Sequence, residues 1–131
     1  MKIGEVAKLT GLSVKSIRYY HDIDLVVANR GENGYREYSA SAVDALQFIQ
    51  HCRELGFTLE DCKTLLKLQN NTHRNAEDVK ELVSHHLQDI ELRINKLTVL
   101  QEQLSQLIHD CHGGEQPDCA ILTGLSHHRT D

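Results

Sequence analysis

The chain has 131 residues, of which 40% are hydrophobic and 25% charged, and its net charge is −5. That length suits about one globular domain, or a small head with a helical extension, and the composition excludes collagenous, disordered and membrane-embedded classes. No apolar run approaches the ~18 residues of a spanning helix. Glu5 and Lys8 also interrupt the stretch where a signal peptide needs an apolar core, so the expected location is the cytosol.

Residues 3–9 read as a short helix with Ile3, Val6 and Ala7 on one face, closed by Thr10-Gly11. Ser13 can cap a second helix running to about His21, with Val14 and Ile17 inward and Lys15 and Arg18 outward. Two short helices joined by a tight Gly-containing turn suggest a helix-turn-helix. Residues 26–38 change period: Asn33-Gly34 favours a hairpin turn, with Tyr35 and Tyr38 as strand residues beyond it, giving a small wing. Ser41-Ala-Val-Asp44 then reads as a capping box that opens a helix to about Leu55. Gly56 ends it, and Thr58-Leu-Glu-Asp61 repeats the box for a helix to about Leu68.

The polar segment 69–75 marks a boundary. From Ala76 to Asp110 there is neither Pro nor Gly, and 35 residues of helix span about 52 Å. Val83, Ile90, Leu97 and Leu104 recur every seven residues, with Leu87, Ile94, Leu100, Leu107 and Ile108 filling the flanking positions. Such a stripe predicts a coiled coil, and a lone helix cannot bury it, so the chain is expected to be a homodimer. We divide the chain into a head with connecting helices (1–70), a dimerisation helix (71–110) and a loop with a short terminal turn (111–131).

The average charge hides an asymmetry. Residues 1–40 carry six Lys/Arg against five Asp/Glu, and residues 41–131 carry eight against fourteen. All four tyrosines, 19, 20, 35 and 38, fall in the first part. Lys15 and Arg18 lie one turn apart beside Tyr19 and Tyr20, and Arg30, Asn33, Tyr35 and Arg36 cluster in the hairpin. Cations, hydroxyls and amides along one surface are what phosphate contact requires, and a helix in the major groove supplies base contacts. The plainer alternative is a set of solvated polar faces.

Cys111 and Cys119 are separated by seven residues in a Gly/Pro-containing loop that leaves the long helix. This is not a zinc-finger spacing. Two thiolates without a fixed third ligand suit a soft monovalent cation, Cu(I) among the common metals. His109 and His112 keep a four-ligand zinc site open on residue types alone, and a loop disulfide or two unrelated thiols are the plainer readings. Cys52 and Cys62 read as core filler, His85-His86 as structural, and His127-His128 as a polar tail.

Head, wing, long helix and cysteine loop, in that order, resemble the MerR family of metal-responsive transcription regulators. The resemblance is carried by IGEVAKLTGLSVKSIRYYHDIDLV at 3–26, ENGYREY at 32–38 and FIQHCRELGFTLEDCKTLL at 48–66. Cys111-x7-Cys119 followed by Ala-Ile-Leu and a His-His tail is most similar to the CueR-type copper efflux branch. The resemblance implies a mainly α fold, with a winged helix-turn-helix DNA-binding head, a long antiparallel coiled-coil dimerisation helix and a C-terminal metal-binding loop. It implies a regulator, not an enzyme, that sits on double-stranded promoter DNA. When metal binds, such a dimer distorts the DNA and realigns the promoter for RNA polymerase, without contact to membrane. DNA contacts then map onto Lys15, Arg18, Tyr20, Asn33, Tyr35 and Arg36, and the Cu(I) ligands, with Ag(I) and Au(I) as alternatives, onto Cys111 and Cys119.

The family's divalent sensors add a cysteine near the start of the dimer helix, where this chain reads Arg74-Asn75-Ala76-Glu77. That favours a monovalent ion, with Lys80 as the family's charge-balancing lysine. Ala76 and His112 depart from the copper sensors, which usually carry Ser and Pro there. The rival readings are a Zn(II)-responsive regulator using His109 or His112, a cytosolic copper-buffering protein, and a thiol redox sensor.

Overall fold

Short helices depend on their ends, and both helices of the head's first pair have them. α1 (Ile3–Thr10) stops at Gly11, whose φ of 74° is a left-handed conformation that glycine adopts without a Cβ penalty. The buried Thr10 hydroxyl donates to the Val6 carbonyl at 2.8 Å and accepts from the Leu12 amide at 3.3 Å, tightening the turn. Ser13 then caps α2 (Val14–Asp22), its hydroxyl accepting from the Ser16 amide at 3.0 Å. The turn thus satisfies backbone groups that both helix ends would otherwise leave orphaned.

The computed structural model describes residues 1–30 and 36–126, with Arg30 described by its backbone alone. Within these, β1 (Asn29–Arg30) pairs antiparallel with β2 (Arg36–Glu37), placing Asn29 opposite Glu37 and Arg30 opposite Arg36. The expected turn at Asn33-Gly34 lies outside the described residues. The wing is anchored from its base. The Tyr38 amide donates to the Met1 carbonyl at 2.7 Å, the Met1 ammonium donates to the Tyr38 carbonyl at 3.0 Å, and Lys2 bridges to Glu37. The start of the chain therefore lies along β2, a long-range pairing that no local pattern announces.

α3 (Ala40–Glu54) begins two residues before the expected Ser41 box. Ser39 is its cap, accepting from the Ala42 amide at 3.1 Å. Tyr38, only 1% exposed, is sunk in the core and sets where the chain must turn into the helix. Thr58 does cap α4 (Leu59–Asn70) as expected, accepting from the Asp61 amide at 3.1 Å. Between them the Arg53 guanidinium donates to the Phe57 carbonyl at 2.9 Å and closes the α3–α4 hairpin.

Val6, Ile17, Tyr20, Val26, Tyr38, Leu46, Ile49, Cys52, Phe57, Cys62 and Leu65 form one buried cluster. It holds together α1 to α4 and the wing base, within the first of two units, Met1–Val83 and Ser84–Asp131. α5 (Ala76–Asp110) runs unbroken over 35 residues. Asn75 opens it, its side-chain oxygen accepting from the Glu77 amide at 2.9 Å. In the first turns Val79 and Leu82 pack against the core of the first unit. Beyond them Leu87, Ile94, Leu97, Leu100, Leu104 and Ile108 are exposed. α6 (Ala120–Ser126) follows the cysteine loop in the second unit. Among the described residues no helix is long and apolar enough to cross a membrane.

Candidate DNA-binding surface and metal centre

The surface of the head carries two clefts to which α2 contributes. In the first, Lys2, Lys8, Arg18 and Arg36 surround a single carboxylate, Glu5. In the second, Lys15, Ser16, Tyr19 and Tyr20 of α2 meet Arg53 and Leu59 of the α3–α4 hairpin. Lys15 and Arg18 are exposed as their spacing required. Tyr20 is a core residue, 8% exposed, that offers only an edge to the second cleft, whereas Tyr19 is 52% exposed. The two rings stand 6.1 Å apart.

Arg36 is engaged within the head. Its guanidinium donates to the Asp22 carboxylate at 3.0 Å and to the Arg18 carbonyl at 3.4 Å. A surface ion pair of this kind contributes at most about 1 kcal/mol, so its consequence is geometric: the second wing strand is tied to the end of α2. Asn33, Tyr35 and the Arg30 side chain lie outside the described residues. Lys2, Lys8 and Arg53 were not singled out from the sequence. Arg53 joins Lys15 only because the α3–α4 hairpin folds back beside α2, and local periodicity carries no signal of that.

The second candidate lies at the other end of the chain. Cys111 follows α5, its amide donating to the Ile108 carbonyl at 3.2 Å. Gly113 and Gly114, with φ of 70° and 89°, turn the chain back so that Cys119 opens α6. The two sulfur atoms come to 3.8 Å. The Leu122 amide, helped by the Cys111 thiol and the Ile121 amide, holds the Cys119 thiol below its ordinary value and outweighs the opposing effect of desolvation. Amides at a helix start favour the thiolate, which is the metal-binding form. His109 and His112 are exposed. Among the described residues no three His, Cys, Asp or Glu side chains gather as a metal cluster.

Cys52 and Cys62 contrast with this pair. Both lie in the core, and burial pushes both thiols up, Cys62 to about 11. Protonated, shielded thiols are poor ligands and nucleophiles, as expected of core filler. Lys80 is exposed in the second turn of α5.

This order of elements has known counterparts. Residues 1–69 match the MerR HTH family regulatory protein model, and residues 43–107 match the MerR, DNA binding model. The chain belongs to the MerR family. The HTH-type transcriptional regulator HmrR of Rhizobium leguminosarum bv. viciae is 45% identical over 126 residues, covering 96% of this chain and 98% of that protein. The regulator CueR of Vibrio cholerae is 38% identical over 129 residues, covering 98% and 93%. The crystal structure of the transcription regulator PbrR691 from Ralstonia metallidurans CH34 in complex with lead(II) superposes with a TM-score of 0.83 at 28% identity, covering 95% of this chain and 98% of that one. As a MerR protein similar to CueR, the chain is a metal-responsive, DNA-binding transcriptional regulator and not an enzyme.

Proposed function

We propose that this MerR protein is a cytosolic, homodimeric activator that responds to Cu(I), or to the equally soft Ag(I) and Au(I), through Cys111 and Cys119. The observation that carries the reading is the sulfur pair, 3.8 Å apart at the start of α6. Two thiolates suit a soft monovalent ion. The lead(II) complex of PbrR691 makes the choice of metal a matter of the donor set rather than of the fold.

Thiolates at Cys111 and Cys119 around a +1 ion leave one negative charge, and Lys80 of the partner's dimer helix is its proposed counter-charge. The bound ion supplies a crosslink between the end of α5 and the start of α6. It acts as an allosteric ligand that favours the activating state of the dimer over the repressing one. Residues 1–70 are the proposed DNA-binding part, 71–110 the dimerisation part and 111–131 the sensing part. DNA distortion that realigns a promoter for RNA polymerase is the proposed output, since sequence-dependent deformation can store binding energy.

X-ray absorption on anaerobic protein, loaded with Cu(I) and separately with Zn(II), tests the metal. Two sulfur neighbours around Cu(I), with zinc held weakly, is the expected result. Tight four-coordinate zinc with nitrogen in its shell would bring in His109 or His112 and overturn the copper assignment.

Lys15, Arg18, Tyr20, Asn33, Tyr35 and Arg36 are the proposed DNA contacts. Arg18→Ala is expected to weaken binding to a duplex selected from a random library by about 1–3 kcal/mol, read as Kd by fluorescence anisotropy at physiological salt. Unchanged affinity would remove α2 from the interface.

A further inference from the structure

α6 is seven residues long, AILTGLS, and its two faces differ. Ala120, Ile121 and Gly124 are half-buried, while Leu122, Thr123 and Leu125 are exposed. The face turned inward is therefore made mostly of small residues. What it meets is Leu107 of α5. From Glu91 to Asp110, Leu107 is the one residue withdrawn from solvent. A Cβ placed on Gly124 would lie 2.7 Å from Cδ2 of Leu107, closer than side chains approach one another. The two helices touch here because residue 124 has no side chain.

The sulfur pair depends on that contact. Cys111 directly follows α5 and Cys119 directly precedes α6, with only exposed residues, 112–118, between them. None of those loop side chains is buried to hold the far end of the loop. The place of Cys119 therefore follows from where α6 rests. Gly124 lies five residues beyond Cys119, about 7.5 Å along the helix, so lifting α6 at Gly124 displaces the sulfur at its start.

We infer that Gly124 is a positioning residue for the metal centre: by letting α6 close onto Leu107 it holds the Cys119 sulfur beside that of Cys111. The inference rests on the proposed reading of those cysteines as the ligands. Leucine at position 124 forces the helices apart. Alanine is milder, since the tip of Leu107 can turn away from one methyl group. Both are better helix formers than glycine, so weakened binding in either variant does not come from a poorer α6.

The test is competition for Cu(I) between the full-length protein and a chromophoric chelator under anaerobic conditions, with X-ray absorption on the wild type. Gly124→Leu is expected to weaken Cu(I) affinity by about 10- to 100-fold, the range found when a residue supporting a metal ligand is altered. Gly124→Ala should weaken it less. Leu107→Ala added to Gly124→Leu should recover most of the loss, and Thr123→Leu, which puts the same bulk on the exposed face, should leave affinity at the wild-type value. Two-sulfur coordination in the wild type with undiminished affinity in Gly124→Leu would overturn the role of Gly124 alone. A loss that Leu107→Ala does not relieve would overturn it as well. Wild-type protein that does not hold Cu(I) between two sulfurs would overturn both this inference and the reading beneath it.

Discussion

Cys111→Ser is expected to abolish the response to Cu(I) while leaving DNA affinity within about twofold of wild type. Serine keeps the size of the side chain but replaces a soft sulfur with a hard oxygen, and Cu(I) selects thiolates. Cys119 alone cannot crosslink the end of α5 to the start of α6. The amides of Leu122 and Ile121 that favour its thiolate then serve no metal. Allosteric coupling is typically about 5- to 150-fold, and in this variant it should fall to about one.

The residues proposed for DNA contact lie in the unit Met1–Val83, and Cys111 lies in the other. Their affinity for DNA without metal should therefore persist. In vitro transcription with and without Cu(I), beside anisotropy on the same duplex, separates the two quantities. Loss of both would make the loop a structural element. A retained response would move the metal elsewhere.

Leu97→Asp is expected to split the dimer. Leu97 is the third of the four residues Val83, Ile90, Leu97 and Leu104 that recur every seven positions, and it is 63% exposed in the single chain. Burying a leucine contributes about 1.5–3 kcal/mol, and a dimer buries two. Replacing each with a carboxylate removes that gain and adds the cost of desolvating a charge. The dimer dissociation constant should rise at least about a hundredfold, which is close to 3 kcal/mol. Sedimentation velocity across a concentration series reads the shift. The head should stay folded, because its core cluster draws nothing from α5 beyond Leu82. A stable dimer of the variant would place the contact on another face of α5.

The short helices and the long helix were legible because each announces itself within a few residues, whereas Tyr38, expected in a wing strand, lies just beyond β2. Gly11 and Ser13 stop and start a helix through their own backbone and hydroxyl groups. Ala76–Asp110 matches the Pro- and Gly-free run residue for residue. The cap of α3 was less legible. Ser39 and Ser41 are both competent caps, and burial of Tyr38 decides between them. Tyr20 shows the same limit: its place beside Lys15 and Arg18 is local, but its 8% exposure reflects the core behind it.

The candidate metal centre divides the same way. Cysteine spacing in a Gly/Pro-containing loop identifies two soft donors. Their 3.8 Å approach and the amides that favour the Cys119 thiolate depend on α6 forming where it does. The grouping of Arg53 with Lys15, and of Lys2 and Lys8 with Arg18, is likewise a product of folding.

By itself, then, the sequence determined the elements, the apolar stripe of α5, the family and the two candidate sulfurs. The elements, the stripe and the sulfur pair rest on periodicity, capping chemistry or spacing, which act over a few neighbouring residues; the family rests on the resemblance of its motifs to known regulators. Only the tertiary structure decided which cations share a cleft, that Arg36 is tied to Asp22, and that α6 rests on Leu107 at Gly124. Those are contacts between residues far apart in the chain. A pattern tells which face of a helix turns inward, but packing of side chains determines what that face meets.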